Sequence, residues 1–193
     1  MKKQVYIIHS WGGSPNEPMH QWLKSELERR GFDVAIPMMP HPENPTIKDW
    51  VLGLSQIIRL PDKNVILVGH SIGCQTILRY LEELPADAKV GGAVFIAPWF
   101  TLSNLESDEE WTIAEHWLGT EINDADIIKH LSKITAIFSD SDPFVPSENI
   151  EKFKKRFGAE IIIEHEKGHF TTSDGVTKLQ SALDAVLRIV SDG

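Results

Sequence analysis

The stretch Asn64-Val65-Ile66-Leu67-Val68-Gly69-His70-Ser71-Ile72-Gly73 decides the fold of this chain. Its first half is a short apolar run rich in β-branched residues, which is typical of a strand buried on both faces of a sheet. It continues as Gly-His-Ser-Ile-Gly, and the residues from Cys74 to Leu81 then place apolar side chains at helical spacing. The stretch therefore predicts a buried strand, a sharp turn at Ser71 and a helix that starts directly after the turn.

The turn itself predicts a reactive serine. The pattern G-x-S-x-G also occurs by chance, but between a buried strand and an amphipathic helix it is the pattern of a nucleophile elbow. Gly69 and Gly73 leave room for a strained backbone at Ser71. The serine side chain then stands above the start of the helix, where free N–H groups and the helix dipole favour a developing negative charge. We interpret Ser71 as a nucleophile.

Length and composition limit the kind of protein. The chain has 193 residues, of which 41% are hydrophobic and 24% charged, as expected for a soluble globular protein with one substantial core. We therefore predict a single domain over residues 1–193. The formal net charge of −9 disfavours nucleic acid and anionic membranes as partners. The one cysteine, Cys74, and the lack of a signal-peptide pattern predict a cytoplasmic location.

Strand patterns and helix patterns alternate along the chain, which predicts an α/β fold with a parallel sheet. The first helix is expected to end near residue 30, and four further helices are expected over about 46–58, 74–81, 147–157 and 175–190. Segment 98–131 shows no strand pattern and predicts one or two short helices near the site. The six expected strands cover residues 5–8, 32–36, 64–68, 91–97, 134–138 and 160–163.

Active sites of parallel sheets lie at the carboxyl ends of the strands, so the loops there supply the candidate partners of Ser71. A serine needs a base to accept its proton and an acid to orient that base, in the chain order Ser, Asp or Glu, His. Asp142 and His169 follow the fifth and sixth strands in this order. Asp140 competes with Asp142, and His165 competes with His169. We favour Asp142 because the proline after it restricts its backbone to extended conformations.

Three motifs resemble the signatures of the α/β-hydrolase superfamily: Gly-His-Ser-Ile-Gly, then Asp-Pro-Phe-Val-Pro from Asp142, and Gly-His-Phe around His169. The short chain, the Trp-Gly-Gly loop at 11–13, Asp49-Trp50 and the Gly-Cys after Ile72 resemble a small branch. That branch includes the YdeN-like and the retinoblastoma-binding-protein-9-like serine hydrolases. The resemblance implies a three-layer fold with six parallel strands in the order 2-1-3-4-5-6 and helices on both faces. It also implies a serine hydrolase triad.

An oxyanion hole requires two N–H donors that face the attacked carbonyl oxygen. The backbone of Ile72, the residue after the nucleophile, is expected to supply one. The other is expected from the loop after the first strand. That loop reads His9-Ser10-Trp11-Gly12-Gly13 and departs from the His-Gly-Gly-Gly pattern of many lipases, so Ser10 and Trp11 both remain candidates.

Further residues are candidates for the substrate pocket. Trp99 and Phe100 follow the fourth strand, where hydrolases often build a cap, and we group His70 with them as substrate-binding candidates. His9 and His70 are also expected to pack beside the catalytic groups. The histidines show no close zinc-ligand spacing, so we predict no metal and no cofactor.

The sequence therefore predicts an enzyme that cleaves small carboxylic esters through an acyl-enzyme intermediate. Amides, thioesters and lactones are alternative substrates for the same three side chains. A protein-interaction module on a hydrolase scaffold is the alternative from another class, because a fold does not fix a function. The sequence is compatible with a protein partner, but no motif indicates one.

Overall fold

The structure of the protein, a computed structural model, describes residues 2–59, 61–131 and 133–191. Its strands form one parallel sheet in the order β2-β1-β3-β4-β5-β6, which confirms the predicted fold and strand order. The strands are β1 Gln4–Ile8, β2 Asp33–Ala35, β3 Val65–His70, β4 Gly92–Ile96, β5 Ile134–Ser139 and β6 Glu160–Glu164.

Helices cover the two faces of the sheet. They are α1 Pro18–Glu28, α2 Ile47–Ile57, α3 Ile72–Glu82, α4 Asp108–Gly119, α5 Asp124–Ile128, α6 Glu148–Phe157 and α7 Gln180–Ser191. On one face α1 packs against α7, which also contacts β4 and β5. On the other face α3 contacts α2 and α5, and α5 contacts α6. Within the described residues, no helix combines the length and the apolar character that crossing a bilayer requires.

The elbow at Ser71 has the strained backbone that the sequence predicts. Every residue of β3 is buried, and Ser71 follows it with φ 55° and ψ −117°. A Cβ added at Gly73 would lie 2.3 Å from the carbonyl oxygen of Ile8, and one at Gly69 would lie 2.7 Å from the amide nitrogen of Cys74. Contacts this short leave no space for a side chain, so both glycines are needed to seat α3 against the sheet.

Helix α7 begins later than the pattern indicates, at Gln180 instead of near residue 175. The reason is a polar turn centred on Asp174. One carboxylate oxygen of Asp174 accepts hydrogen bonds from the N–H and the hydroxyl of Thr171, at 2.9 Å and 2.7 Å. Local side-chain bonds of this kind compete with helix formation, and they hold this segment as a loop.

Segment 98–131 contains α4 and α5, and a buried arginine attaches it to the body of the fold. Arg79 of α3 donates hydrogen bonds to the carbonyl oxygens of Trp117 and Thr120, at 2.7 Å and 2.9 Å, at the end of α4. A cation at a helix C-terminus also interacts favourably with the helix dipole. Arg79 donates to Gln75 as well, and Gln75 donates to the carbonyl of Trp99. The segment is thus fixed over the carboxyl ends of the strands.

Candidate active site

Three side chains from three loops meet at the carboxyl end of the sheet. The hydroxyl of Ser71 lies 2.8 Å from Nε2 of His169, and Nδ1 of His169 lies 2.8 Å from Oδ2 of Asp142. The serine follows β3, the aspartate follows β5 and the histidine follows β6. The structure therefore brings together the three residues that the chain order selected. In this geometry the imidazole can accept the serine proton while the carboxylate holds its other nitrogen.

Asp142 is held in one orientation by its own loop. Its Oδ1 accepts hydrogen bonds from the N–H groups of Phe144 and Val145, at 2.9 Å and 3.1 Å, so Oδ2 is left for His169. The carboxylate is only 2% exposed. The ring of Phe144 also packs edge-on against the imidazole of His169, with 5.4 Å between the ring centroids. The turn that starts at Pro143 thus fixes both partners.

Asp140 and His165, the two competing candidates, form a separate pair. Oδ2 of Asp140 lies 2.6 Å from Nδ1 of His165, and its Oδ1 accepts from the N–H of Glu166 at 2.9 Å. The backbone N–H of Glu166, together with His165, lowers the pKa of Asp140, while the hydrogen bond to Asp140 raises the pKa of His165. The His165 side chain is 83% exposed, and no described contact joins this pair to Ser71. Its place is on the surface, where it closes the turn after β6.

The loop that carries His169 is organised by a residue that sequence reasoning missed. Oδ2 of Asp174 accepts a 2.9 Å hydrogen bond from the N–H of His169. A Cβ added at Gly168, where φ is 51°, would lie 2.2 Å from Oδ1 of Asp174. The glycine therefore allows the carboxylate to approach the backbone of the histidine. The available signal was the Thr171-Thr-Ser-Asp174 spacing, which is typical of a polar turn.

The loop after β1 forms part of the wall of the cavity that Ser71 and His169 also line. Ser10 and Trp11 both line the cavity beside Ser71. The carbonyl of Ser10 accepts hydrogen bonds from the N–H of Gly13 at 3.0 Å and from Nδ1 of His9 at 2.8 Å, so the loop is held tightly. Ile72 is the first residue of α3, a position whose N–H has no partner within the helix. Ile72 as the first donor, and Ser10 or Trp11 as the second, stay predictions that are compatible with this arrangement.

The cavity beside Ser71 and His169 has a volume of about 360 Å³, and Trp99 forms part of its wall. Phe100 does not line this cavity. Its ring stacks on Phe153 at 4.7 Å and lies under the guanidinium of Arg156 at 3.8 Å, so it packs against α6 instead. The remaining residues of the wall are Ser10, Trp11, Gly12, Glu43, Leu102, Leu105, Glu106, Glu110, Phe144 and Thr171.

His70 also lies outside the wall of this cavity, and its role is with the backbone. Its Nε2 is 2.9 Å from the carbonyl oxygen of His169, to which it donates a hydrogen bond. Burial and the neighbouring His20 and His169 lower the pKa of His70 well below its ordinary value. His70 is therefore neutral and supports the loop of His169 from below.

Among the described residues, no group of three or more His, Cys, Asp or Glu is arranged to hold a metal ion.

Buried histidines predict a loss of stability in mild acid. Burial lowers the pKa of His20 to about 4, from about 6.5 in an unfolded chain. Below pH 6.5 the unfolded chain binds a proton that the folded chain does not, so the free energy of unfolding falls as the pH falls towards 4. For His20 alone we expect the free energy of unfolding to be about 2 kcal/mol lower at pH 5 than at pH 7. This follows from a slope of about 1.4 kcal/mol per pH unit below pH 6.5. Urea unfolding at both pH values measures it.

The matched variants for this prediction are His20→Gln and His116→Gln. The first removes a buried imidazole, so its stability is expected to depend less on pH than that of the wild type. The second removes an imidazole that is exposed at the surface of α4 and is expected to leave the pH dependence unchanged. The prediction would be contradicted if the free energy of unfolding fell equally from pH 7 to pH 5 in the wild type and in His20→Gln.

Comparison with known proteins agrees with this geometry. Residues 5–188 match the model of a family described as serine hydrolase. The protein YdeN of Bacillus subtilis (strain 168) is 30% identical over 187 residues, which cover 96% of this chain and 95% of that protein. The crystal structure of the ydeN gene product superposes with a TM-score of 0.90 and 29% identity, covering 98% of this chain and 100% of that chain.

More distant structures share the fold. Est1E from Butyrivibrio proteoclasticus has a TM-score of 0.74 at 14% identity, covering 98% of this chain and 89% of that chain. A carboxylesterase structure from the thaumarchaeon Nitrososphaera gargenis has a TM-score of 0.75 at 16% identity, covering 99% of this chain and 92% of that chain. Identities this low support the α/β-hydrolase fold alone, whereas the family match and YdeN span almost the whole chain. The chain therefore belongs to the serine hydrolase family, in its YdeN-like α/β-hydrolase branch.

Proposed function

We propose that this hydrolase cleaves small carboxylic esters, with Ser71 as nucleophile, His169 as general base and then acid, and Asp142 as the group that orients the histidine. The observation that carries the proposal is the unbroken set of contacts from Ser71 through His169 to Asp142, each 2.8 Å long. A continuous path of this kind lets the imidazole take the serine proton as the hydroxyl attacks a carbonyl carbon.

In the proposed reaction the attack forms a tetrahedral intermediate whose oxygen carries the negative charge. The N–H of Ile72 and an N–H of the Ser10-Trp11 loop would donate to that oxygen, as in other oxyanion holes. His169 then gives its proton to the leaving alcohol and an acyl-enzyme remains on Ser71. A water molecule, activated by the same histidine, releases the acid and restores the enzyme. The reaction needs no cofactor.

The ester class is supported by proteins that share the fold. Est1E has been solved with ferulic acid bound, and the thaumarchaeal structures are described as carboxylesterases. The same three side chains also suit amides, thioesters and lactones, so these remain alternatives within the proposal.

For the location we propose the cytoplasm, since the single cysteine, Cys74, is buried and leaves no internal disulfide. We propose no nucleic acid or membrane partner.

Acyl-chain selectivity provides a direct test. The cavity of about 360 Å³ lies under a short helical segment, so we expect kcat/KM for p-nitrophenyl esters to be highest for acetyl to hexanoyl chains, roughly C2 to C6. Longer chains would extend beyond the cavity into water and gain little. A graded series from acetate to palmitate measures the profile, with Ser71→Ala as the control for background hydrolysis. A preference for long acyl chains would contradict this prediction.

The same series separates an enzyme from an interaction module. An interaction module would show no turnover on any ester, together with stable capture of a protein partner. Turnover that disappears in Ser71→Ala would exclude that alternative.

A further inference from the structure

The cavity beside Ser71 is lined by carboxylates and, among the described residues, by no lysine or arginine. Glu43, Glu106 and Glu110 are three of the thirteen described residues that line it, and none of the thirteen is Lys or Arg. Glu110 accepts from the N–H groups of Glu106 and Ser107 and so closes the first turn of α4. The carboxylates of Glu43 and Glu106 have no hydrogen-bond or ion-pair partner among the described residues. Two carboxylates are therefore free to meet a substrate.

Aromatic rings complete this wall. Nε1 of Trp11 donates a 3.1 Å hydrogen bond to the backbone carbonyl of Glu43, which holds the indole beside that residue. Trp99 and Phe144 line the same cavity. The faces of aromatic rings attract alkylammonium groups, tryptophan most strongly. Carboxylates and aromatic rings together are the chemistry that recognises an organic cation.

The carboxylate of Glu43 also lies close to the loop that is proposed to stabilise the oxyanion. Its Oε2 would be 3.3 Å from a Cβ added at Gly12, the residue after Trp11. A negative charge here repels the developing oxyanion of a neutral substrate. A positive group on the substrate that contacts Glu43 would offset this repulsion.

We propose that the cavity selects esters that carry an ammonium group, and that Glu43 and Glu106 determine this specificity. The proposal rests on the proposed function, since it assigns a substrate class to the site at Ser71. At ion-pair distance in water, one carboxylate changes the affinity for a unit charge by about fivefold. A cleft lined by one sign of charge adds to this by concentrating ions of the opposite sign. Esters that carry a carboxylate are poor substrates for the same reason.

Matched ester pairs test the proposal. In the first pair, choline butanoate is compared with neohexyl butanoate, in which a tert-butyl group replaces trimethylammonium. In the second pair the same exchange is made in the acyl chain of a p-nitrophenyl ester. We expect kcat/KM of the cationic ester to exceed that of its neutral partner about tenfold in at least one pair at low salt, and the ratio to fall as salt is added. A ratio below about twofold in both pairs would overturn the proposal.

Charge-removing variants locate the effect. The double variant Glu43→Gln, Glu106→Gln is expected to lower the cationic-to-neutral ratio to about threefold or less. Glu109→Gln is the matched control, because Glu109 is exposed in the first turn of α4, three residues after Glu106, and does not line the cavity. A ratio that stays high in the double variant, or that falls equally in the control, would overturn the assignment to these two carboxylates.

A binding measurement distinguishes failure of this inference from failure of the proposed function. Tryptophan fluorescence of the unmodified enzyme and of the double variant Glu43→Gln, Glu106→Gln is titrated with choline and with its neutral isostere, neohexyl alcohol. Tighter binding of choline that depends on Glu43 and Glu106, without turnover of any ester, would support the cation site and refute the esterase function. Turnover of neutral esters with no tighter binding of choline would leave the esterase function and overturn the inference.

Discussion

Replacing Ser71 by alanine is expected to lower kcat for p-nitrophenyl butanoate by on the order of 10⁴-fold or more, because the variant has no nucleophile for acyl transfer. The atom that is lost is the one that lies 2.8 Å from Nε2 of His169. The backbone N–H of residue 71 still donates to the carbonyl of Ile96, so the turn is retained. The free energy of unfolding is therefore expected to change by no more than about 1 kcal/mol.

Covalent labelling checks the same assignment without a substrate. A fluorophosphonate probe is expected to modify Ser71, and intact mass followed by peptide mapping locates the adduct. Ser10→Ala is a suitable control, because Ser10 lines the same cavity and its backbone N–H survives the substitution. Labelling should persist in Ser10→Ala and disappear in Ser71→Ala. A folded, active sample that is labelled at another serine would refute the nucleophile assignment.

Asp142→Asn is expected to lower kcat by on the order of 10²- to 10⁴-fold with little change in folding. The carboxylate accepts a hydrogen bond from Nδ1 of His169 at 2.8 Å, and this keeps Nε2 free to take the proton of Ser71. An amide that donates to Nδ1 instead would stabilise the wrong tautomer and leave the serine without a base. The measurement is kcat on one short-chain ester, beside a thermal melt followed by circular dichroism.

The second acid–histidine pair supplies the matched control. Asp140→Asn removes a charge two residues away and disturbs the hydrogen bonds to His165 and to the N–H of Glu166. We expect kcat to fall by less than about tenfold, and the main loss to be in stability, because two hydrogen bonds of the turn after β6 are disturbed. If Asp140→Asn is the inactive enzyme and Asp142→Asn the active one, the proposed assignment of the acid is wrong by two residues.

The fold could be predicted from the sequence because its signals are local. A strand buried on both faces reads as a continuous apolar run, as β3 does, and the helix that follows Ser71 shows its spacing directly. The cap of α2 is local as well, since the hydroxyl of Thr46 accepts a hydrogen bond from the N–H of Asp49 at 3.1 Å. Alternation of strands and helices leaves few topologies once connections are short and right-handed. The start of α7 was misplaced because the turn at Asp174 breaks a pattern that looks helical.

The choice between Asp142 and Asp140 also had a local cause. Pro143 limits the backbone of the residue before it and starts the turn, so the sequence favoured the aspartate that the structure places beside His169. Parallel strands bring their carboxyl ends to one edge, and this rule selected the loops that meet there.

The sequence by itself therefore determined the sheet, the strained turn at Ser71 and the chain order of the three candidate side chains. Only the tertiary structure decided which neighbours reach the cavity. Phe100 points to Phe153 instead of the site, whereas Trp99, one residue earlier, forms its wall. Glu43 and Glu106 come from loops far apart in the chain and share one cavity. Contacts of this kind depend on how long loops fold over the sheet, and no periodicity or motif in the sequence encodes where those loops meet.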